Sequence, residues 1–494
     1  MTTTSPSETQ DDAEIATVDV LIVGAGLSGI GAAHHLQSKL PGKTYAILES
    51  RGAIGGTWDL FRYPGIRSDS DMYTLGYNFR PWIGDKSIAD GSSIREYIED
   101  TAREGGIDSH IRFHHKVISA EWSTAETTWT VTALRSDTGA TVQFKASFLM
   151  CCSGYYDYDK GFTPDFAGIE NYGGTVVHPQ QWPEDLDYAD KKVVVIGSGA
   201  TAITLAPNLA REASHVTLLQ RSPSYIMSLP SKDPIALALR KVVPSRAAYS
   251  VTRVKNAVTA IGMYVLCQRY PKFMRKRIRK LQEGWLPAGY DLDTHFTPKY
   301  NPWDQRLCLV PDNDLFRSIR RDEVEFVTDH IDHFTETGIA LKSGRHLDAD
   351  VVVTATGLNL VAFGHVDLKV DGLEVELTDT MAYKGMMLTD VPNFAFVVGY
   401  TNASWTLKAD LVCDYVVRLL EHMDKNGFRE VRLERDSSVG EEPFLDFAAG
   451  YVLRAVDSFP KQGSVAPWRL RMNYFRDLPA LRFGKLVDEN MSLR

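Results

Sequence analysis

"VDVLIVGAGLSGIGAAHHL" (residues 18–36) opens with an apolar, β-branched run, passes through Gly24, Gly26 and Gly29, and continues as a helical pattern. "YAILES" follows, a second apolar strand that ends in Glu49. Strand, glycine turn, helix, strand and terminal acid stand in the order and spacing of a dinucleotide-binding βαβ unit. Each glycine has a different job. Gly24 permits the tight turn, and Gly26 lets the backbone approach a pyrophosphate at the helix N-terminus, where unpaired N–H groups favour anions. Gly29 lets the helix pack closely on its strand. Glu49 is positioned to accept hydrogen bonds from ribose hydroxyls.

A second unit begins at "KKVVVIGSGATA" (191–202), with Gly197, Gly199 and Ala202 in the fingerprint positions and Ser198, Ala200 and Thr201 between them. Its next strand ends in Gln220, Arg221 and Ser222, with no acid. An acid there repels a 2′-phosphate and an arginine attracts one, which favours NADP over NAD; a solvated surface arginine is the bland alternative. "FLMCCSGYY" (148–156) and "ADVVVTATGLN" (349–359) are apolar strands ending in small-residue turns, and resemble the closing strands of flavoprotein oxidoreductases. "PNFAFVVGYTNASW" (392–405) resembles the strand that returns such a chain to its flavin domain. The expected fold class is α/β, with two Rossmann-like dinucleotide-binding domains. The expected divisions are a disordered tail (1–16), the first part of one domain (17–155), a linker (156–190), a second domain (191–385) and a returning part (386–494).

The 494 residues are enough for two or three domains with substantial cores. With 54 basic against 63 acidic residues, nothing global favours nucleic acid. Residues 1–16 are polar and acidic, without the basic start and apolar run of a signal peptide, and no apolar run approaches the roughly 20 residues that span a bilayer. Five cysteines form no CxxC and no metal spacing, so the expectation is buried thiols in a reducing, cytoplasmic compartment and no metal. Cys151-Cys152 as a redox pair is disfavoured, because adjacent disulfides are strained. Inside the second domain, about 226–300 reads as a helical insert. Residues 240–280 of it hold 12 basic and no acidic residues around the apolar "NAVTAIGMYVLC". Its basic side either faces solvent or an NADPH entrance, or lies against a membrane surface.

"GGTWDLFRYPGIRSD" (55–69) then gives the chemistry a place beside the first nucleotide. It fits [A/G]-G-x-W-x-x-x-x-[F/Y]-P-[G/M]-x-x-x-D at every defined position, a pattern of the type I Baeyer–Villiger monooxygenases. Tyr172, Gly174, His178, Trp182 and Pro183 add Y-x-G-x-x-x-H-x-x-x-W-P, which departs from that family's fingerprint only in Tyr for Phe. The resemblance spans about 17–490 and is strongest toward ethionamide-activating members.

What it implies is an FAD- and NADPH-dependent enzyme that uses O2 to turn ketones into esters or lactones through a C4a-peroxyflavin. Sulfoxidation and thioamide oxidation come as side activities. By resemblance, Arg306 is the active-site arginine and Asp69 orients it. A guanidinium suits that role, since it stays protonated while stabilising an oxygen anion. The implied FAD site is Gly24, Gly26, Ser28, Gly29, Glu49, Thr57, Trp58, Leu60, Asp69 and Val117. NADP takes Gly197–Ala202, Arg221 and Ser222, with Arg67, Ser68 and Asp69 near the nicotinamide. Gln305 stands where the family often has a lysine for the 2′-phosphate, which leaves Arg221 as the main candidate. Trp405 either lines the substrate side or is plain core. His178 and Trp182 read as fixing the linker. A flavin N- or S-monooxygenase without ketone activity is the rival reading, and natural substrate and oligomeric state are left open.

Overall fold

The computed structural model describes residues 15–305, 307–445 and 449–494. Arg306 and nearly all of the expected disordered tail therefore lie outside the described residues. The opening strand β1 (Ala16–Val23) runs parallel to β2 (Tyr45–Leu48) across the helix α1 (Leu27–Lys39). Ile22 and Leu21 are fully buried, as expected of a parallel strand covered on both faces. β3 (Ile111–Arg112) extends the parallel edge, and β4 (His115–Ser123), β5 (Thr128–Arg135) and β6 (Thr141–Cys151) form an antiparallel meander that closes back onto β1.

The second sheet is parallel throughout. Its strands are β7 (Thr175–Val177), β8 (Lys192–Ile196), β9 (His215–Gln220), β10 (Val324–Thr328) and β11 (Val351–Thr354), in the order β10-β9-β8-β11-β7. Helix α2 (Ala200–Leu209) follows its glycine turn. Both Rossmann-like units thus have their strands, turns and helices in the expected sequence.

Two pairings differ from the divisions read in the sequence. The stretch 156–190, expected as linker, supplies β7, because Thr175–Val177 finds an open edge beside Val351–Val353. Strands β12 (Asp367–Val370) and β13 (Leu373–Glu374), expected inside the second domain, extend the first sheet from β4. β14 (Phe394–Phe396) then pairs with β6, as the returning segment requires. Cys151 and Cys152 are buried thiols rather than a bridge.

The insert is built mainly from three helices of nine residues or more, α3 (Pro234–Val242), α4 (Ser245–Arg269) and α5 (Pro271–Trp285), with a strand at Ile226–Leu229 before them and a short helical turn at Leu292–His295 after them. It is not a solvated appendage. The Arg253 guanidinium of α4 is buried and donates to the carbonyls of Tyr73 at 2.9 Å, Thr74 at 3.2 Å and Gly76 at 2.6 Å. It also meets Asp410 at 3.1 Å, on the long helix α6 (Trp405–Asn426). The insert is therefore bolted to the first domain. No helix among the described residues is long and apolar enough to cross a membrane.

On α1, His34 stacks on Phe79, with ring centroids 3.5 Å apart. Burial, then the neighbouring His35, lowers its pKa to about 4, against the pull of Asp410. The unfolded chain takes up this proton near the ordinary value of about 6.5, so the folded state loses stability as pH falls from there toward 4. A urea midpoint that falls over that window in the parent, and less steeply in His34→Gln, is the expected result.

Candidate functional site

β1, β2 and β6 end level, Val23 pairing with both Leu48 and Cys151, so the loops after all three converge at one sheet edge. That is where an open α/β sheet binds ligands. Gly24 turns there at φ +98°, and a Cβ on it would meet the Cys152 carbonyl oxygen at 2.9 Å. Gly29 is more constrained, because a Cβ would stand 1.8 Å from the Gly24 carbonyl oxygen. Gly26 lies against Gly56 of the 55–69 loop, so two glycine backbones form one cradle.

Glu49 holds the glycine turn itself. Its carboxylate accepts from the Ala25 N–H at 2.7 Å and the Arg51 N–H at 2.8 Å, fixing the glycine turn. Burial pushes its pKa up despite those donors. Asp59 is buried under Arg51, at 2.7 Å, with Arg62 and Arg95 also on its carboxylate, which braces the loop from behind.

The loop then crosses to the second domain. Phe61 and Tyr63 are buried in that domain's core, with Leu60 packed beside them. The Tyr63 hydroxyl bonds Thr201 in the first turn of α2, and burial raises its pKa. Arg67 reaches the Leu309 carbonyl at 3.4 Å; burial lowers its pKa, opposed chiefly by Asp314 and then Tyr63 and Asp69.

Between these elements lies one cavity of about 550 Å³. Of the residues expected at FAD, Gly24, Gly26, Ser28, Glu49, Thr57, Trp58, Asp69 and Val117 line it. Gly29 and Leu60 do not: one packs helix on strand, the other faces the second core. Of those expected at NADP, Arg67, Ser68, Asp69, Ala200 and Thr201 line it. Gly197, Ser198, Gly199, Ala202, Arg221 and Ser222 stand outside it. Gly197 turns at φ +141° under the Ala355 carbonyl, and Gly199 has open space where a Cβ would be. Ser198 Oγ lies 2.9 Å from Ser224 Oγ, which brings the segment after Arg221 over that turn. Arg221 itself is exposed.

Residues 86–420 match the flavin-binding monooxygenase-like family, and 22–80 an NAD(P)-binding Rossmann-like domain. The chain belongs to the flavin-binding monooxygenase-like family. It is 59% identical over 476 residues to the FAD-containing monooxygenase EthA of Mycobacterium tuberculosis, covering 96% of this chain and 97% of that protein. Against EthA of Mycolicibacterium smegmatis the identity is 55% over 475 residues, 96% of each chain. Among solved structures, an oxidized steroid monooxygenase bound to NADP shares the fold, with TM-score 0.77, 22% identity, and 97% and 99% of the two chains covered.

In this monooxygenase the fingerprint residues sit outside the cavity and brace its wall. Tyr172 donates to the Ala349 carbonyl at 2.9 Å, and Gly174 fits beneath its hydroxyl. His178 Nδ1 accepts from the Gln180 N–H, which leaves Nε2–H to donate to the Gly357 carbonyl at 3.1 Å. Trp182 is half-buried against the second core, and Pro183 follows it at partial exposure. Removing the imidazole in His178→Ala is expected to slow NADPH-linked turnover while FAD stays bound, as read by NADPH oxidation and flavin absorbance. Loss of the flavin instead would place His178 in the first domain's stability.

Sequence reasoning left Trp405 undecided and missed Tyr158. Trp405 lines the cavity and donates to Ser28 Oγ at 2.8 Å, and the Tyr158 hydroxyl lies 3.2 Å from Thr57 Oγ1. Tyr158 stands in the aromatic run "GYYDYD" (154–159), a signal that was available just past the closing strand.

Proposed function

We propose that the chain is a Baeyer–Villiger monooxygenase, inserting one oxygen atom of O2 into ketones to give esters or lactones. Oxidation of thioethers and thioamides accompanies it. The observation that carries the reading is the shared cavity walled by the first glycine turn, the Trp58–Asp69 segment and the start of α2. One nucleotide's ring system and the reducing end of the other meet in such a space. The glycine cradle at Gly26 and Gly56, the buried Glu49 and the clearance at Gly199 suit FAD on the first unit and NADPH on the second.

FAD, once reduced by NADPH, supplies the activated oxygen. The chain's own residues bind, orient and shield. Glu49 and the glycine turn hold the adenosine half, Trp58 and Trp405 exclude water from the reacting end, and Asp69 with Arg67 sets the charge there. Arg306 stabilises negative charge on oxygen as a carbonyl is attacked. Arg221, just past β9, selects the 2′-phosphate of NADPH. FAD in the names of the EthA relatives supports the cofactor assignment.

Incubation with NADPH, air and a simple methyl ketone tests the reading. The expected product is the ester, with one oxygen from labelled O2. Sulfoxidation of a thioether with no ester from any ketone would instead identify an N- or S-oxygenating flavoprotein.

A further inference from the structure

The helical insert carries a surface that neither nucleotide domain uses. The inner face of α4 is committed: Arg253 is bolted to the first domain, and Ala257 packs with Tyr400 and Leu407. On the opposite face, Val251, Val254, Val258 and Val265 follow helical spacing and are 55%, 59%, 52% and 49% exposed. Single exposed apolar residues are ordinary; four β-branched ones in one stripe are not. At the corner after α4, Tyr270 and Phe273 are exposed as well.

α5 continues from that corner with its own two faces. Met274, Ile278 and Gln282 are buried, while Lys272, Lys276, Arg277 and Lys280 are exposed. None of these four forms an ion pair among the described residues. Residues 240–280 hold 12 basic and no acidic side chains; the rest of the chain then holds 42 basic against 63 acidic. An acidic protein thus concentrates its positive charge beside its exposed apolar stripe.

We propose that this surface lays the protein on a bilayer containing anionic lipid. The valine stripe of α4 enters the headgroup boundary, and the outward cations of α5 meet the lipid phosphates. α4 lies on the membrane and does not span it, in keeping with its modest hydropathy. Because its inner face touches Tyr400, which lines the cavity, docking sets the cavity one helix-width from the lipid. Only this last point, access for bilayer-dissolved substrates, rests on the proposed function; the docking surface does not.

Sedimentation of the full-length holoenzyme with phosphatidylcholine vesicles, with and without phosphatidylglycerol, tests it. Binding is expected only with phosphatidylglycerol and is expected to fall in high salt. The quadruple variant Lys272→Glu, Lys276→Glu, Arg277→Glu, Lys280→Glu should lose at least about tenfold in vesicle partition. Val251→Ser with Val254→Ser and Val258→Ser should weaken binding at low salt also, with NADPH oxidation on a water-soluble substrate unchanged. If the valine variant fails to fold, the charge variant decides alone. Equal binding to neutral vesicles, or undiminished binding by the charge variant, overturns the proposal. So does an oligomer that the valine variant splits into monomers while the parent ignores vesicles, since a second copy then covers the stripe. Retention by a polynucleotide but not by vesicles overturns it too.

Discussion

Arg253→Met is expected to lower stability by about 3–5 kcal/mol, the usual cost of removing one partner from a buried ionic network. Methionine keeps most of the stem's volume, so packing is not the main loss. What is lost is three carbonyl partners, at Tyr73, Thr74 and Gly76, and the charge that neutralises Asp410. Burial works against the Arg253 charge, yet Tyr249 and Asp410 hold its pKa above the ordinary value, so the cation is wanted in place. Leu75 sits inside the clasped segment and lines the cavity, so loosening the clasp also opens the cavity wall. A urea titration followed by flavin fluorescence reads the midpoint. A shift worth under about 1 kcal/mol would mean that the other contacts of α4, such as Tyr249, Ala257 and the Asn256 bond to Asp71, hold it without Arg253.

Arg306→Ala is expected to cut ester formation by about 10²–10³-fold while FAD stays bound, the range seen when one oxyanion-stabilising donor is removed. Arg306 itself lies outside the described residues, but three residues later Leu309 lines the cavity. Attack on a ketone carbonyl builds negative charge on oxygen, and a guanidinium answers it without giving up its proton. Arg306→Lys should restore only part of the rate, because an ammonium in a dry site loses its proton more readily. Product yield per NADPH consumed separates this from a binding defect. Ester at the parent rate in Arg306→Ala would sink the mechanism and leave the fold untouched.

The two glycine turns were legible because their constraint is local. Gly24, Gly29 and Gly197 answer to backbone within a few residues or on an adjacent strand, and the motif spacing records that directly. Trp405 was not legible: its partner Ser28 is 377 residues away, and a tryptophan in a small-residue segment reads equally as core. β12 and β13 fall inside 191–385 in chain order yet extend the first sheet, because chain order does not give a strand its neighbour. Leu60 is expected at the flavin by its place in the motif, and its side chain packs on the second core, a direction that motif spacing does not give. The basic insert showed its charge in the sequence, but the inward turn of Arg253 needed the helix phase and the carbonyls of residues 73–76.

Phe61 and Tyr63 stay with the first domain in chain order and with the second in packing. This limits modular engineering. Transplanting the nucleotide-binding module of a relative, to change cofactor preference, would exchange a core but leave behind two of the aromatic plugs that fill it. Such a chimera would carry a void or a clash at its centre before any new contact to the nucleotide mattered. The natural unit of exchange is therefore discontinuous: residues 191–354, the edge strand at 175–177, and the 55–69 loop moved together.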